Sequence, residues 1–294
     1  MPEPQVIAEG LAFPEGPRWH DGRLYFVDHL DGHVNVVEPD GAVRLLATLP
    51  EGASGMGWRP DGTHLVVSMH DRRLVALGEQ VTEVSALGGL VGGPLNEMVV
   101  GGSGRAYVGN FGSDLTGGEP LTPTVLVRVD PDGSAVVAAE DLVFPNGVVL
   151  TPDERTLIVA ESFALRLTVF DVDENGALSN RRVWASFGEA PSLDFAEIVA
   201  QGTTIPDGIA LDAEGAVWVS DPVGHEVIRV AEGGRVLDRI PTGELGSYAV
   251  ALGGPEGRTL YICANARLGR IEPGVDRCGR VLAVEVAVPG AGWP

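Results

Sequence analysis

Short apolar stretches, broken by Gly, Pro, Asp or Asn, run the length of the chain. That rhythm predicts strands joined by tight turns. Long amphipathic stretches between strands, which an α/β chain would need, are not found. One unit recurs six times: a polar residue, a small residue, a short apolar rise, a turn and a β-rich strand. The first copy is Glu15-Gly16-Pro17-Arg18-Trp19, a turn at Asp21-Gly22, then Leu24-Tyr25-Phe26-Val27-Asp28. The fourth is Asn146-Gly147-Val148-Val149-Leu150, a turn at Pro152-Asp153, then Leu157-Ile158-Val159. The other copies open at Ser54, Asn96, Asp207 and Tyr248.

First positions thus fall at 15, 54, 96, 146, 207 and 248, at intervals of 39, 42, 50, 61 and 41 residues. A period of about 40 to 50 residues that holds several strands marks a propeller. A third strand follows each hairpin, as in Val125 to Val129, and turns such as Pro39-Asp40-Gly41 lead to a fourth. The expectation is an all-β chain, a single six-bladed β-propeller domain over residues 1–294 with four-stranded blades. The two long intervals predict insertions around Gly112 to Pro123 and Gly188 to Thr204, the second with a short helix near Ala196 to Gln201. The stretch Asp114 to Glu119 of the first is expected to cover the mouth of the channel. No fourth strand follows the last one, Arg280 to Val286. Gln5 to Ala8 is therefore expected to complete the last blade and remove its open edge.

Composition narrows the partners. The chain has 294 residues, 44% of them hydrophobic, enough for a large core. Acidic residues outnumber basic ones 41 to 20, a formal charge of −21 that repels nucleic acid and anionic membrane surfaces. Every basic residue is Arg, so Schiff-base chemistry and a Walker lysine are excluded. Cys263 and Cys278 form no CxxC pair, and Met1 to Gly10 lacks the features of a signal peptide. A cytoplasmic location fits, and the oligomeric state stays open.

Four of the six first positions are Glu15, Asn96, Asn146 and Asp207, all oxygen ligands. In a propeller the first strands line the channel, so equivalent positions lie at one depth and point at one axis. Two carboxylates there would raise each other's pKa unless a cation neutralised them. An oxygen-only set favours one Ca²⁺, leaves Mg²⁺ and Mn²⁺ open, and ranks Zn²⁺ last. Taken singly, each of these residues would serve as a strand or turn cap.

The same residues carry a likeness. Phe13-Pro14-Glu15-Gly16-Pro17-Arg18-Trp19, Phe144-Pro145-Asn146-Gly147-Val148 and Pro206-Asp207-Gly208-Ile209-Ala210-Leu211-Asp212 resemble successive units of the SMP-30/gluconolactonase/LRE family. The resemblance spans nearly the whole chain. It implies a six-bladed propeller holding a divalent cation by Glu15, Asn146 and Asp207, with Asn96 a further ligand or a contact to substrate. It also implies lactone hydrolysis, with phosphotriester cleavage in related propellers. One departure is Pro94, where sugar-lactonases of the family often place Arg; another is Asn96-Glu97 in place of Asn-Asp. Both point to a lactone less polar than an aldonolactone.

The expected function is a metal-dependent lactonase or esterase-type hydrolase acting on a small lactone or ester, with Asp207 as general base. His29, His70, Asn110, Phe111, Glu161 and His225 are candidate substrate contacts beside Asn96. The alternatives are a phosphotriesterase-like hydrolase and a non-catalytic calcium-binding propeller. No GxSxG elbow, GxGxxG fingerprint or HExxH site occurs.

Overall fold

The computed structural model describes residues 3–115, 117–189, 193–266 and 276–292, with only the backbone at Phe195. Strand β1 (Gln5–Leu11) comes first in the chain but belongs to the last blade. Blade 1 is β2 (Pro14–His20), β3 (Arg23–Asp28), β4 (His33–Val37) and β5 (Val43–Thr48). Blade 2 is β6 (Ala53–Trp58), β7 (His64–Ser68), β8 (Arg73–Leu77) and β9 (Thr82–Ala86). Blade 3 is β10 (Leu95–Val100), β11 (Ala106–Asn110), β12 (Thr124–Val129) and β13 (Ala135–Leu142). Blade 4 is β14 (Pro145–Leu150), β15 (Thr156–Glu161), β16 (Arg166–Val172) and β17 (Leu178–Ser186). Blade 5 is β18 (Ile209–Leu211), β19 (Val217–Asp221), β20 (Glu226–Val230) and β21 (Val236–Pro241). Blade 6 is β22 (Gly246–Gly253), β23 (Thr259–Asn265) and β24 (Gly279–Glu285), with β1 as its outer strand. The six four-stranded sheets make the expected six-bladed β-propeller.

Burial falls from the axis outward. The first strands β6 and β10 are buried along their whole length, whereas the fourth strand β5 is largely exposed. Six of the core's clusters are each shared by two neighbouring blades, and a seventh gathers around Phe144 and the insertions. Leu65, Val67 and Leu74 of blade 2 pack on Met98, Val108 and Val127 of blade 3. Phe26 and Leu24 of blade 1 pack on Tyr261 and Val281 of blade 6 and on Ala8 of β1. The ring therefore closes through side chains as well as through the β1–β24 ladder, which pairs Gln5 with Ala283 and Leu11 with Gly279.

Local chemistry sets the turns. Asp21 and Gly22 both take positive φ (46° and 73°), the two-residue turn whose twist matches a right-handed hairpin. At Asp40 the carboxylate accepts the Ala42 N–H at 3.0 Å, bending the chain between the third and fourth strands.

Two features of the first strands prepare the site. In five of them the pairing with the second strand slips by one residue at the first position: Glu15/Arg18, Ala53/Met56, Leu95/Met98, Pro145/Val148 and Ser247/Ala249. Such a bulge turns its residues out of the ladder and re-aims them. The second position is Gly in four copies because neighbouring inner strands nearly touch there. A Cβ at Gly55 would lie 2.3 Å from Met98 N, and one at Gly147 2.5 Å from the Asp207 carbonyl oxygen. The insertions fall where the spacing predicts, between β11 and β12 and between β17 and β18. Residue 116 of the first and residues 190–192 of the second lie outside the described residues. The second carries the helix α1 (Phe195–Ala200), N-capped by Asp194. Among the described residues no helix is long and apolar enough to cross a membrane.

Candidate metal centre and active site

At the starts of the first strands of blades 4 and 5, Asn146 and Asp207 are in contact: Asn146 Nδ2 donates to Asp207 Oδ1 in a short hydrogen bond, and lies 3.3 Å from Ser162 Oγ. Asn96 is buried and accepts from Ser54 Oγ at 3.4 Å through Oδ1. Its Nδ2 has no partner among the described residues. Burial pushes the Glu15 carboxyl well above its ordinary value, and neighbouring Asp207 and Glu97 push it further; the Gly16 N–H and Arg18 pull back. Asp207 is also pushed well up, by burial and then by Glu97, against the pull of Asn146. Glu15, Asp207 and Glu97 therefore form one electrostatic cluster at the axis.

Glu97 is the site residue that sequence reasoning passed over. It occupies a second position where four other copies have Gly, so its side chain points into the space their missing Cβ atoms leave. A Cβ on Gly16 would sit 3.1 Å from Glu97 Oε1. Arg18 donates to Glu97 Oε2 at 2.9 Å and to the Met98 carbonyl at 2.6 Å. Glu97 Oε1 is buried without a partner among the described residues. The signal was present in the break of the polar–Gly pattern at Asn96-Glu97.

These residues fit a divalent cation. Three carboxylates face one guanidinium, two amides flank them, and two buried polar atoms lack partners. Among the described residues no three His, Cys, Asp or Glu side chains make a metal cage by themselves. A cation held here would depend on the asparagine amides as well.

Of the candidate substrate contacts, Phe111 stacks on Phe144, two residues before Asn146, with ring centroids 4.6 Å apart. His70 is exposed on blade 2, near His29 of blade 1. Burial, and then His70, lowers the His29 imidazole to about 4, and its Nδ1 has no partner among the described residues. His225 sits in the β19–β20 turn at φ 55°, its carbonyl accepting the Thr242 N–H. Two of the expected contacts are engaged within the fold. Asn110 is fully buried and spends its amide on Val125, Gly112 and Thr124. Glu161 is fully buried and accepts from Arg166, Arg181, Thr168 and the Val143 N–H. Burial would raise the Glu161 carboxyl, but these donors outweigh it and hold it below its ordinary value. Neither side chain has acceptor capacity left over for a ligand.

Glu161 belongs instead to a second ring, at the ends of the second strands, that fastens the backbone leading to the axial residues. Its bond to Val143 N–H lies three residues ahead of Asn146. Asp28 accepts the Ala12 and Phe13 N–H groups (2.9 and 2.7 Å) just ahead of Glu15. Asp221 accepts the Ile205 N–H at 3.4 Å just ahead of Asp207.

The family model described as the SMP-30/Gluconolactonase/LRE-like region matches residues 13–266, from just before Glu15 to just past blade 6's second strand. The chain belongs to the SMP-30/gluconolactonase/LRE family. A 6-deoxy-6-sulfogluconolactonase of Pseudomonas putida is 30% identical over 300 residues, 98% of this chain and 96% of that one. The pentonolactonase XacC of Haloferax volcanii is 27% identical over 97% of this chain and 95% of its own. Among solved structures, a luciferin-regenerating enzyme superposes with a TM-score of 0.80 at 18% identity, covering 98% of this chain and 97% of that one. A calcium-binding protein, regucalcin, from Agrobacterium tumefaciens does so with a TM-score of 0.80 at 19% identity, covering 99% and 96%. These two likenesses bear on the family's fold.

Proposed function

We propose that this SMP-30/gluconolactonase/LRE family member is a divalent-cation-dependent lactonase whose active site is the axial cluster of Glu15, Asn146 and Asp207. The observation that carries this reading is the buried convergence of these side chains, in a chain whose relatives are named lactonases over nearly their full length. Glu15, Asn146 and Asp207 would hold the cation, calcium by preference for hard oxygen ligands, with Asn96 a fourth ligand or a substrate contact. Bound there, the cation would polarise the ester carbonyl and steady the charge that develops on its oxygen.

The chain's own residues do the rest. Burial and Glu97 raise the Asp207 carboxyl and a bound cation would draw it back down, leaving an ionised carboxylate to accept the proton. Asn146 fixes the carboxylate's orientation through Oδ1, leaving the other oxygen to take a proton. Water gives that proton to Asp207 as its oxygen bonds to the carbonyl carbon. The ring C–O bond then breaks, the proton passes to the departing ring oxygen, and a hydroxy acid leaves.

Lactone turnover measured in EDTA, then after calcium is restored, tests this. Chelation should abolish hydrolysis and calcium should return it, while Asp207→Ala should cost about a hundredfold or more in kcat. Asp207→Ala with full activity and full metal content would refute the assignment. Cleavage of phosphotriesters in preference to every lactone, or calcium binding without turnover, would replace it.

A further inference from the structure

The mouth around the axial cluster has two unlike sides. On blades 6, 1 and 2 the residues at the starts of first strands and just past the ends of second strands include Tyr248, His29, Ser54 and His70, each with a polar group. On blades 3 to 5 the chain next to the first positions enters an apolar cluster built on Phe144, Leu165, Ile198 and Ile205, with Phe111 and Phe163 packed against it and still partly exposed.

That cluster is tied to the axial residues at each blade. Phe144 lies two residues before Asn146 and Ile205 two before Asp207. The Phe111 N–H donates to the Pro94 carbonyl at 2.9 Å, two residues before Asn96. Phe163 follows Ser162, whose hydroxyl is 3.3 Å from Asn146 Nδ2. Phe144 joins the two aromatic flanks, with ring centroids 4.6 Å from both Phe111 and Phe163. Both insertions feed the same cluster, the first through Leu121 and the second through Ile198 of α1. First strands start, and second strands end, on the face where these insertions emerge, so the apolar wall rises on the side of the mouth where the axial oxygens open.

A ring carrying hydroxyls at every carbon would press some of them against this wall without hydrogen-bond partners, a penalty that an alkyl group does not meet. We propose that the lactone taken here carries an alkyl or aryl substituent seated on Phe111 and Phe163, while its ester faces the axial oxygens. This rests on the lactonase reading above and narrows its substrate class to lactones that are apolar at one end.

The test is a series of kcat/KM values for the calcium-loaded enzyme on δ-valerolactone, δ-hexalactone, δ-octalactone, δ-decalactone and D-glucono-δ-lactone. Expected is a rise of about threefold per added methylene, with δ-octalactone ahead of the gluconolactone. Phe163→Ala and Phe111→Ala should each cut the ratio of δ-decalactone to δ-valerolactone by about tenfold, and Phe163→Leu should restore most of it. If either alanine variant does not fold, Phe163→Leu carries the comparison, with a ratio of about half the wild-type value or more. A flat series, a preference for D-glucono-δ-lactone over every alkyl lactone, or wild-type ratios in both alanine variants overturns the apolar seat while leaving the lactonase standing. Turnover of no lactone at all removes both.

Discussion

Asp207 stands in a place that suits a charge only when something positive shares it. Its carboxyl is pushed well above an ordinary value of 3.8 by burial and by Glu97. A carboxyl raised in the fold contributes its stability below the unfolded pKa and loses it as pH rises through the folded one. At pH 8 in chelator the ionised form therefore costs stability. Asp207→Asn, which keeps the oxygen that accepts from Asn146, should raise the unfolding free energy there by about 1 kcal/mol, read from the denaturant titration, while abolishing lactone turnover. Calcium should stabilise wild type and not the variant. A variant less stable than wild type in EDTA at pH 8 would mean that Asp207 is not a repelled charge. At this scale the chain was readable where symmetry spoke: Glu15, Asn96, Asn146 and Asp207 share one register position. It was silent where one side chain had two possible neighbours. Glu161 and Asn110 end second strands near the mouth, but strand polarity cannot tell a carboxylate aimed at the channel from one turned back onto Arg166 and Val143.

The inner strands show why the polar residue is followed by a small one. With a bulge at the first position, neighbouring strands come within contact of each other's backbone, and a methyl group there meets atoms that cannot move aside. Gly147→Ala would set a Cβ 2.5 Å from both the Asp207 carbonyl and Ile209 N. It should cost about 2 kcal/mol or more and lower lactone turnover by shifting Asn146 against Asp207. Gly89→Ala, whose Cβ meets nothing within 4 Å, should stay within about 0.5 kcal/mol of wild type in the same urea titration. Equal midpoints for the two variants would contradict the close approach. Strand order followed from the sequence because hairpin turns and apolar runs alternate so regularly. The bulges did not, since an extra residue in a ladder leaves no mark in composition, and the packing of the insertions onto Phe144 depends on contacts far apart in the chain.

For the whole molecule the joint in blade 6 decides whether the ring stays shut. Ala8 of β1 belongs to the core shared by blades 6 and 1, and removing residues 1–11 would bare both that core and the long edge of β24. The truncated chain should unfold at lower urea and aggregate as concentration rises, measured by light scattering; a monodisperse protein with an unchanged midpoint would show that the outer strand is dispensable. The same joint has a mechanical side. Gln5 lies opposite Ala283 and Leu11 opposite Gly279, so the free ends of both strands leave the ladder at the same place. Tension applied to the two chain ends, once the tail lets go of Gly257 and Leu211, would peel this seam one bond at a time instead of loading all its bonds together. A ring closed through this ladder would thus yield to a gentle pull on its ends.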